Sequence, residues 1–179
     1  VYNMLDQAHF VPLSILTTLN PVLAAAWPHD RERLLRAARM TAELLAIASF
    51  GALAFVIAGG EPVLRLIFGD SFAKAAPALA VLGGAYVLIS FGYLNGNLLI
   101  TVGQQKRLLR ISLVALVVNL VGNAILVPLV GYIGAAVMTL VTEAVVFGLA
   151  SRSILRILEL PRPALGRVSR TAVSAIVLG

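Results

Sequence analysis

GQQKRLLRISLVALVVNLVGNAILVPLVGYIGAAVMTLVTEAVVFGLASRSILR, residues 103–156, decides how this chain is read. Two apolar runs, 108–130 and 132–150, meet at an uncharged turn, Pro128 to Gly131. Lys106, Arg107 and Arg110 precede or open the first run, and Arg152 and Arg156 follow the second. Each run is long enough to cross a bilayer, since about 30 Å of hydrocarbon takes roughly 20 apolar residues in a helix. Lys and Arg are retained in cytoplasmic loops. The pair therefore reads as a helical hairpin that leaves the cytoplasm, turns outside and returns.

The same alternation extends outward along the chain. Twelve of the fourteen Lys and Arg residues fall in three gaps. Arg31, Arg33, Arg36 and Arg39 lie in the first, residues 28–40. Lys106, Arg107 and Arg110 lie in the second, residues 103–110. Arg152, Arg156, Arg162, Arg167 and Arg170 lie in the third, residues 151–170. Arg65 and Lys74 sit elsewhere, balanced by Glu61 and Asp70. The three basic gaps are predicted to face the cytoplasm, with the chain in the cytoplasmic (inner) membrane. Five complete spans are expected, at about 8–27, 41–60, 76–102, 108–130 and 132–150, with a truncated sixth at 170–179.

Local signals refine these spans. Trp27 and Pro28 mark an inner end, and Asn20-Pro21 marks a kink. PHDRERLLRAARM should lie in the cytoplasmic interface as the start of the next helix, its arginines reaching to headgroups. In GGEPVLRLIFGDSF, Pro62 suits the first position of a short external helix and Gly69 its C-terminal cap. SRSILRILELPRPALGRVSR reads as a basic, amphipathic linker broken by proline.

Composition agrees. The chain is 60% hydrophobic and 12% charged, with a mean hydropathy of +0.97, against about 25% charged residues in soluble domains. The pI near 10.5 could point to nucleic acid, but no basic-aromatic module occurs and anionic headgroups account for the charge. No nucleic-acid partner is expected; membrane lipids are. There is no Cys, which excludes disulfides and thiolate chemistry among these 179 residues. The chain begins at Val1 without Met or a basic signal region, and ends at Gly179 inside an apolar run. It is read as one integral-membrane region, 1–179, of a longer protein.

Polar residues inside the spans are few. Glu143 stands near the middle of its span with no cation at i±3 or i±4. It is either a coupling-ion or cavity residue, or a protonated or hydrogen-bonded packing contact. Asn119 and Asn123 share one helix face around Gly122. They read as cavity candidates or as packing contacts between helices. Asn95 and Asn97, beside Gly92 and Gly96 at GxxxG spacing, read the same way, the glycines allowing close packing or bending. Asp6, Gln7 and His9 are expected to be solvated at the outer mouth. Neither His9 nor His29 has an acid four or five residues onward, and no HExxH, GxSxG or P-loop occurs. No enzyme, cofactor or metal site is expected.

GGEPVLRLIFGDSFAKAAPAL resembles the segment after the ninth span of polysaccharide flippases, where an acidic-Pro pair precedes a short apolar helix ending in Phe-Gly. Residues 103–143 resemble that family's Gly-x-x-Lys/Arg loop, Asn-bearing eleventh span, Pro-hydrophobic-Gly turn, Gly-Ala-Ala and Thr-Glu. YNMLDQAHFVPLSILTTLNPVLAAAW is similar to the eighth span with its closing Pro. The resemblance is to the O-antigen and teichoic-acid type flippases of the multidrug/oligosaccharidyl-lipid/polysaccharide exporter superfamily, over their C-terminal half. It implies an all-α, polytopic transmembrane bundle forming one lobe of a two-lobed carrier. It also implies alternating access and a polyprenyl-pyrophosphate-linked oligosaccharide as cargo, for cell-surface polysaccharide synthesis. A polymerase and glycosyltransferases would be partners. Peptidoglycan-precursor flippases and drug or cation antiporters of the superfamily are alternatives, as is a membrane scaffold without transport. An antiporter should carry several mid-span acids, and Glu143 stands alone. No Lys or Arg lies in mid-span, so cationic contacts to a pyrophosphate belong to the other lobe or to ends such as Arg65 and Arg110.

Overall fold

The structure, a computed structural model, describes residues 10–70 and 75–158. Asp6, Gln7, His9, Lys74, the rest of the 151–170 linker and the expected span at 170–179 lie outside the described residues. Within them the elements are five helices: α1 (Phe10–Ala26), α2 (Arg31–Phe68), α3 (Ala76–Thr101), α4 (Gln105–Val130) and α5 (Tyr132–Ile157). Helices are what an apolar medium demands, because hydrocarbon offers no partner to a free peptide N–H or C=O. α2 to α5 are each long and apolar enough to cross a membrane. α1, with 17 residues, is apolar but spans only about 26 Å at 1.5 Å per residue. The expected five full crossings are therefore supported by length for four helices.

Helix ends follow the local chemistry. Asp30 caps α2, its Oδ1 accepting the Arg33 N–H at 2.8 Å, with Glu32 in the first turn near the positive helix end. α2 holds 38 residues, about 57 Å of helix, well beyond the ~30 Å of the hydrocarbon. The stretch expected to cross, 41–60, leaves the Arg31–Arg39 turns at one interface and the turns after Gly60 at the other.

Two expectations about boundaries are corrected. Pro62 does not begin a separate helix; α2 runs straight through it to Phe68. A proline removes one N–H and frees one carbonyl, a loss that interfacial water and headgroups can offset at this exposed position. Arg65 also ties the region together, reaching Glu61 Oε1 at 3.0 Å and Asp70 Oδ1 at 3.2 Å. Gly69 does terminate the helix, at φ 87°. At the other boundary, residues 151–157 are the last turns of α5 and not linker. Arg152 and Arg156 are exposed there, where their charges complement the helix C-terminus and their stems can reach the interface.

The α4–α5 connection is tighter than the expected Pro128–Gly131 turn. Pro128 belongs to α4, and Gly131 alone makes the reversal at φ 65°, ψ −142°. Residues other than glycine are strongly disfavoured there. The hairpin then closes without room for a side chain at Gly134, where a Cβ would lie 2.7 Å from the Leu126 carbonyl oxygen.

α3 is the centre of the bundle. It packs against each of the other four helices and buries Leu82, Ala85, Tyr86, Leu94, Leu98 and Leu99. The larger core joins the ends of α1, α3 and α5 to the beginnings of α2 and α4, through Ala26, Leu34, Val102, Ile111, Ile154 and Leu158. Arg31 Nη2 donates to the Leu158 carbonyl across the same end. A smaller cluster of Ala78, Leu82 and Ala136 closes the opposite side. This antiparallel arrangement brings Arg31–Arg39, Lys106–Arg110 and Arg152–Arg156 to one end and Arg65 to the other. α4 turns Leu109, Leu113, Leu116 and Leu120 outward as an apolar stripe, the surface expected of a helix facing lipid.

The hairpin yields a stability test. Gly131→Val should lower stability by about 1–3 kcal/mol through backbone strain. Gly134→Leu should prevent α4 and α5 from meeting and reduce the folded fraction further. Unfolding of the purified protein in detergent, followed by helical signal and proteolysis, reads both.

Candidate functional site

Polar residues on apolar helices must find a partner or line a space that admits water. The bundle sorts the five candidate residues both ways. Asn95 Nδ2 donates to Ser151 Oγ at 2.9 Å, pinning α3 to α5 near the basic end. Asn119 Nδ2 donates to Thr142 Oγ1 at 3.2 Å, joining α4 to α5. Asn123 Nδ2 in turn donates to the Asn119 carbonyl at 2.8 Å and to its Oδ1 at 3.1 Å. These three asparagines act as contacts within the bundle. Thr142 and Ser151, their partners, were not singled out from sequence, since nothing in a linear pattern says which hydroxyl an asparagine will meet.

Glu143 and Asn97 do something different. They line a groove of about 340 Å³ between α3, α4 and α5, together with Tyr93, Ser112, Gly92 and Gly96. The groove follows α3 from Ile89 to Ile100, about 16 Å along the axis, from mid-helix toward the basic end. Glu143 is half-buried, and among the described residues no hydrogen bond or ion pair engages its carboxyl. Ser112 likewise has no hydrogen-bond partner among them. Asn97 donates one N–H to the Tyr93 carbonyl at 3.0 Å. Among the described residues, the groove's lining contains no Lys, Arg or His.

Two glycines line this space, and of the two expected uses, close packing or bending, close packing that excludes a side chain is not found at either. A Cβ on Gly92 would lie 3.9 Å from Val146 Cγ1 and 4.0 Å from Glu143 Oε2, and one on Gly96 would lie 3.8 Å from Leu108. Neither distance is crowded. Close approach occurs elsewhere, at Gly83 beneath Leu53, at Gly122 against the flexible Met138 side chain and at Gly134. The GxxxG pair thus borders a concavity on α3, while Phe91 and Phe147 pack edge-on at 6.2 Å on the α3–α5 seam. A second cavity, about 210 Å³ between α2 and α3, is lined almost entirely by apolar atoms, including those of Leu53, Val56, Leu79 and Leu82.

Comparison with known proteins finds two relatives, one of them named a membrane protein and the other a probable flippase. Over 98 residues, 55% of the chain, it is 33% identical to the probable low-salt glycan biosynthesis flippase Agl15 of Haloferax volcanii. Over 77 residues, 43% of the chain, it is 29% identical to an uncharacterized membrane protein of Methanocaldococcus jannaschii. The alignments cover 20% and 15% of those proteins, so the chain corresponds to a fifth or less of their length. No family model matches the chain, and no solved structure matches it. With the apolar helices, these likenesses support a multi-pass membrane protein.

The two groups of polar residues should respond differently to substitution. Asn119→Leu removes one interhelical hydrogen bond and is expected to cost about 0.6 kcal/mol, and no more than about 1.7, as such bonds do in membranes. A double-mutant cycle on Asn95 and Ser151, read by unfolding in detergent, should return a coupling of the same size.

Proposed function

We propose that this chain forms part of the C-terminal lobe of a flippase for polyprenyl-pyrophosphate-linked oligosaccharides, serving cell-surface glycan synthesis. The cargo would pass from the cytoplasmic to the outer leaflet. The observation that carries this reading is the 33% identity over 98 residues to a protein named as a probable glycan biosynthesis flippase. The physical need is plain: a hydrated glycan cannot enter hydrocarbon unaided, so a polar path must carry it while its lipid tail stays in the membrane. Carriers of this kind expose such a path to each side in turn by rocking their halves. The groove bearing Glu143 and Asn97 suits that task, and its presence favours a carrier over a scaffold with a dry interior. The described mid-span acids reduce to Glu143, which favours a flippase over a cation antiporter. Glycosyltransferases and a polymerase fit as partners in this reading, and no enzymatic step is assigned to the chain.

Sidedness follows from the charge pattern. The end carrying Arg31–Arg39, Lys106–Arg110 and Arg152–Arg156 is proposed to face the cytoplasm. A cysteine at Gln104 should then react with an impermeant thiol reagent only after cells are opened, and one at Leu129 should react in intact cells. The reverse pattern would invert the topology.

The functional test uses the full-length carrier. Glu143→Gln should lower glycan export about tenfold, the equivalent of ~1.4 kcal/mol, at unchanged membrane abundance. Complementation of a strain lacking the carrier, with immunoblotting of membranes, measures both. Normal export would remove Glu143 from the transport step.

A further inference from the structure

We propose that the groove between α3, α4 and α5 is a subsite for the uncharged, hydroxyl-rich part of the cargo, and that it does not hold the pyrophosphate. The proposal rests on the flippase reading above and assigns one portion of that cargo to one site. At about 340 Å³ the groove falls at the lower end of small-molecule sites, which run from about 300 to 1,000 Å³.

Three observations select the chemistry. The first is what the groove offers. Glu143, Ser112, Asn97 and Tyr93 line one concavity. Carboxyl and amide oxygens accept from hydroxyl donors, and the serine can donate or accept. A sugar ring presents several hydroxyls at its edge and an apolar C–H face, the combination that these groups and a tyrosine ring can contact.

The second is what the groove lacks. A pyrophosphate is bound by Arg, Lys or clustered backbone N–H groups. Among the described residues no cation lines the groove, and α3 passes it as unbroken helix, whose N–H groups are already committed. The described cations stand instead at the bundle's ends, exposed on α2, α4 and α5.

The third is the contrast with the other cavity. The space between α2 and α3 is of comparable order but almost wholly apolar. It has little to offer hydroxyls, whereas a hydrocarbon chain in the α3–α4–α5 groove would leave the Glu143 and Ser112 groups without partners, which is unfavourable. The two cavities are thus chemically distinct, and the more polar one, which mixes polar groups with apolar wall, matches the glycan.

The test places a reporter in the groove without touching its polar groups. Val146→Cys is made in the full-length carrier with any other cysteine removed, and Ile89→Cys serves as the second position if the first variant does not fold. The rate of modification by a small maleimide is measured with two probes. One is the glycan released by mild acid from the polyprenyl-linked pool of the source cells; the other is inorganic pyrophosphate. The released glycan should slow labelling about fivefold at about four times its Kd, and pyrophosphate should leave the rate unchanged. Protection should vanish when Glu143→Ala is added. Protection by pyrophosphate, an unchanged rate with glycan, or protection that survives Glu143→Ala would each overturn the proposal. A flipping assay on the unmodified carrier separates the levels. Flipping of the lipid-linked glycan without groove protection removes the subsite and leaves the transport reading standing; absence of flipping removes the transport reading itself.

Discussion

A peptide group in hydrocarbon has only its own chain to bond with, and most of this bundle follows from that. The constraint forces long uninterrupted helices, drives the charged residues to the ends, and reduces the connections to short turns such as Gly131. It also explains why α3 is central. A helix that packs against four others can carry glycines and asparagines, because much of its irregular surface is met by protein. α4 keeps its own asparagines, Asn119 and Asn123, on the face toward α5 and turns leucines outward.

Within that frame the polar residues separate by the geometry of what faces them. Asn95 meets Ser151, and Asn119 meets Thr142, so each closes a seam between helices at modest gain. Glu143 meets open space. An ionisable group left so in the middle of a helix is costly, and a site that does work is the usual reason for its being retained. The neighbouring glycines are part of the same device, since side chains at Gly92 and Gly96 would fill the concavity that the carboxyl borders.

Much of the architecture was legible from periodic hydrophobicity and the spacing of arginines. The apolar runs correspond to helices, PHDRERLLRAARM does lead into the next helix, and Gly69 ends one. Other points were not legible for identifiable reasons. Pro62 carries a helix-start signal, yet local propensity is weak against the continuity of a helix already formed and supported by the Glu61–Arg65 pair. The apolar–basic boundary at Ala150 marks where hydrocarbon ends, but a helix does not stop where its solvent changes. The GxxxG spacing at Gly92 has two structural uses, contact and concavity, and the same four letters describe both.

By itself the sequence determined that the chain is an all-helical membrane protein, that its described basic segments share one side, and that very few residues could work inside the bilayer. Those properties depend on transfer energies and charge, which belong to residues one at a time. Only the tertiary structure decided that Asn119 and Asn95 are contacts while Glu143 and Asn97 border a common groove. That choice depends on which helix faces align across gaps of tens of residues in the chain, and no local pattern encodes it.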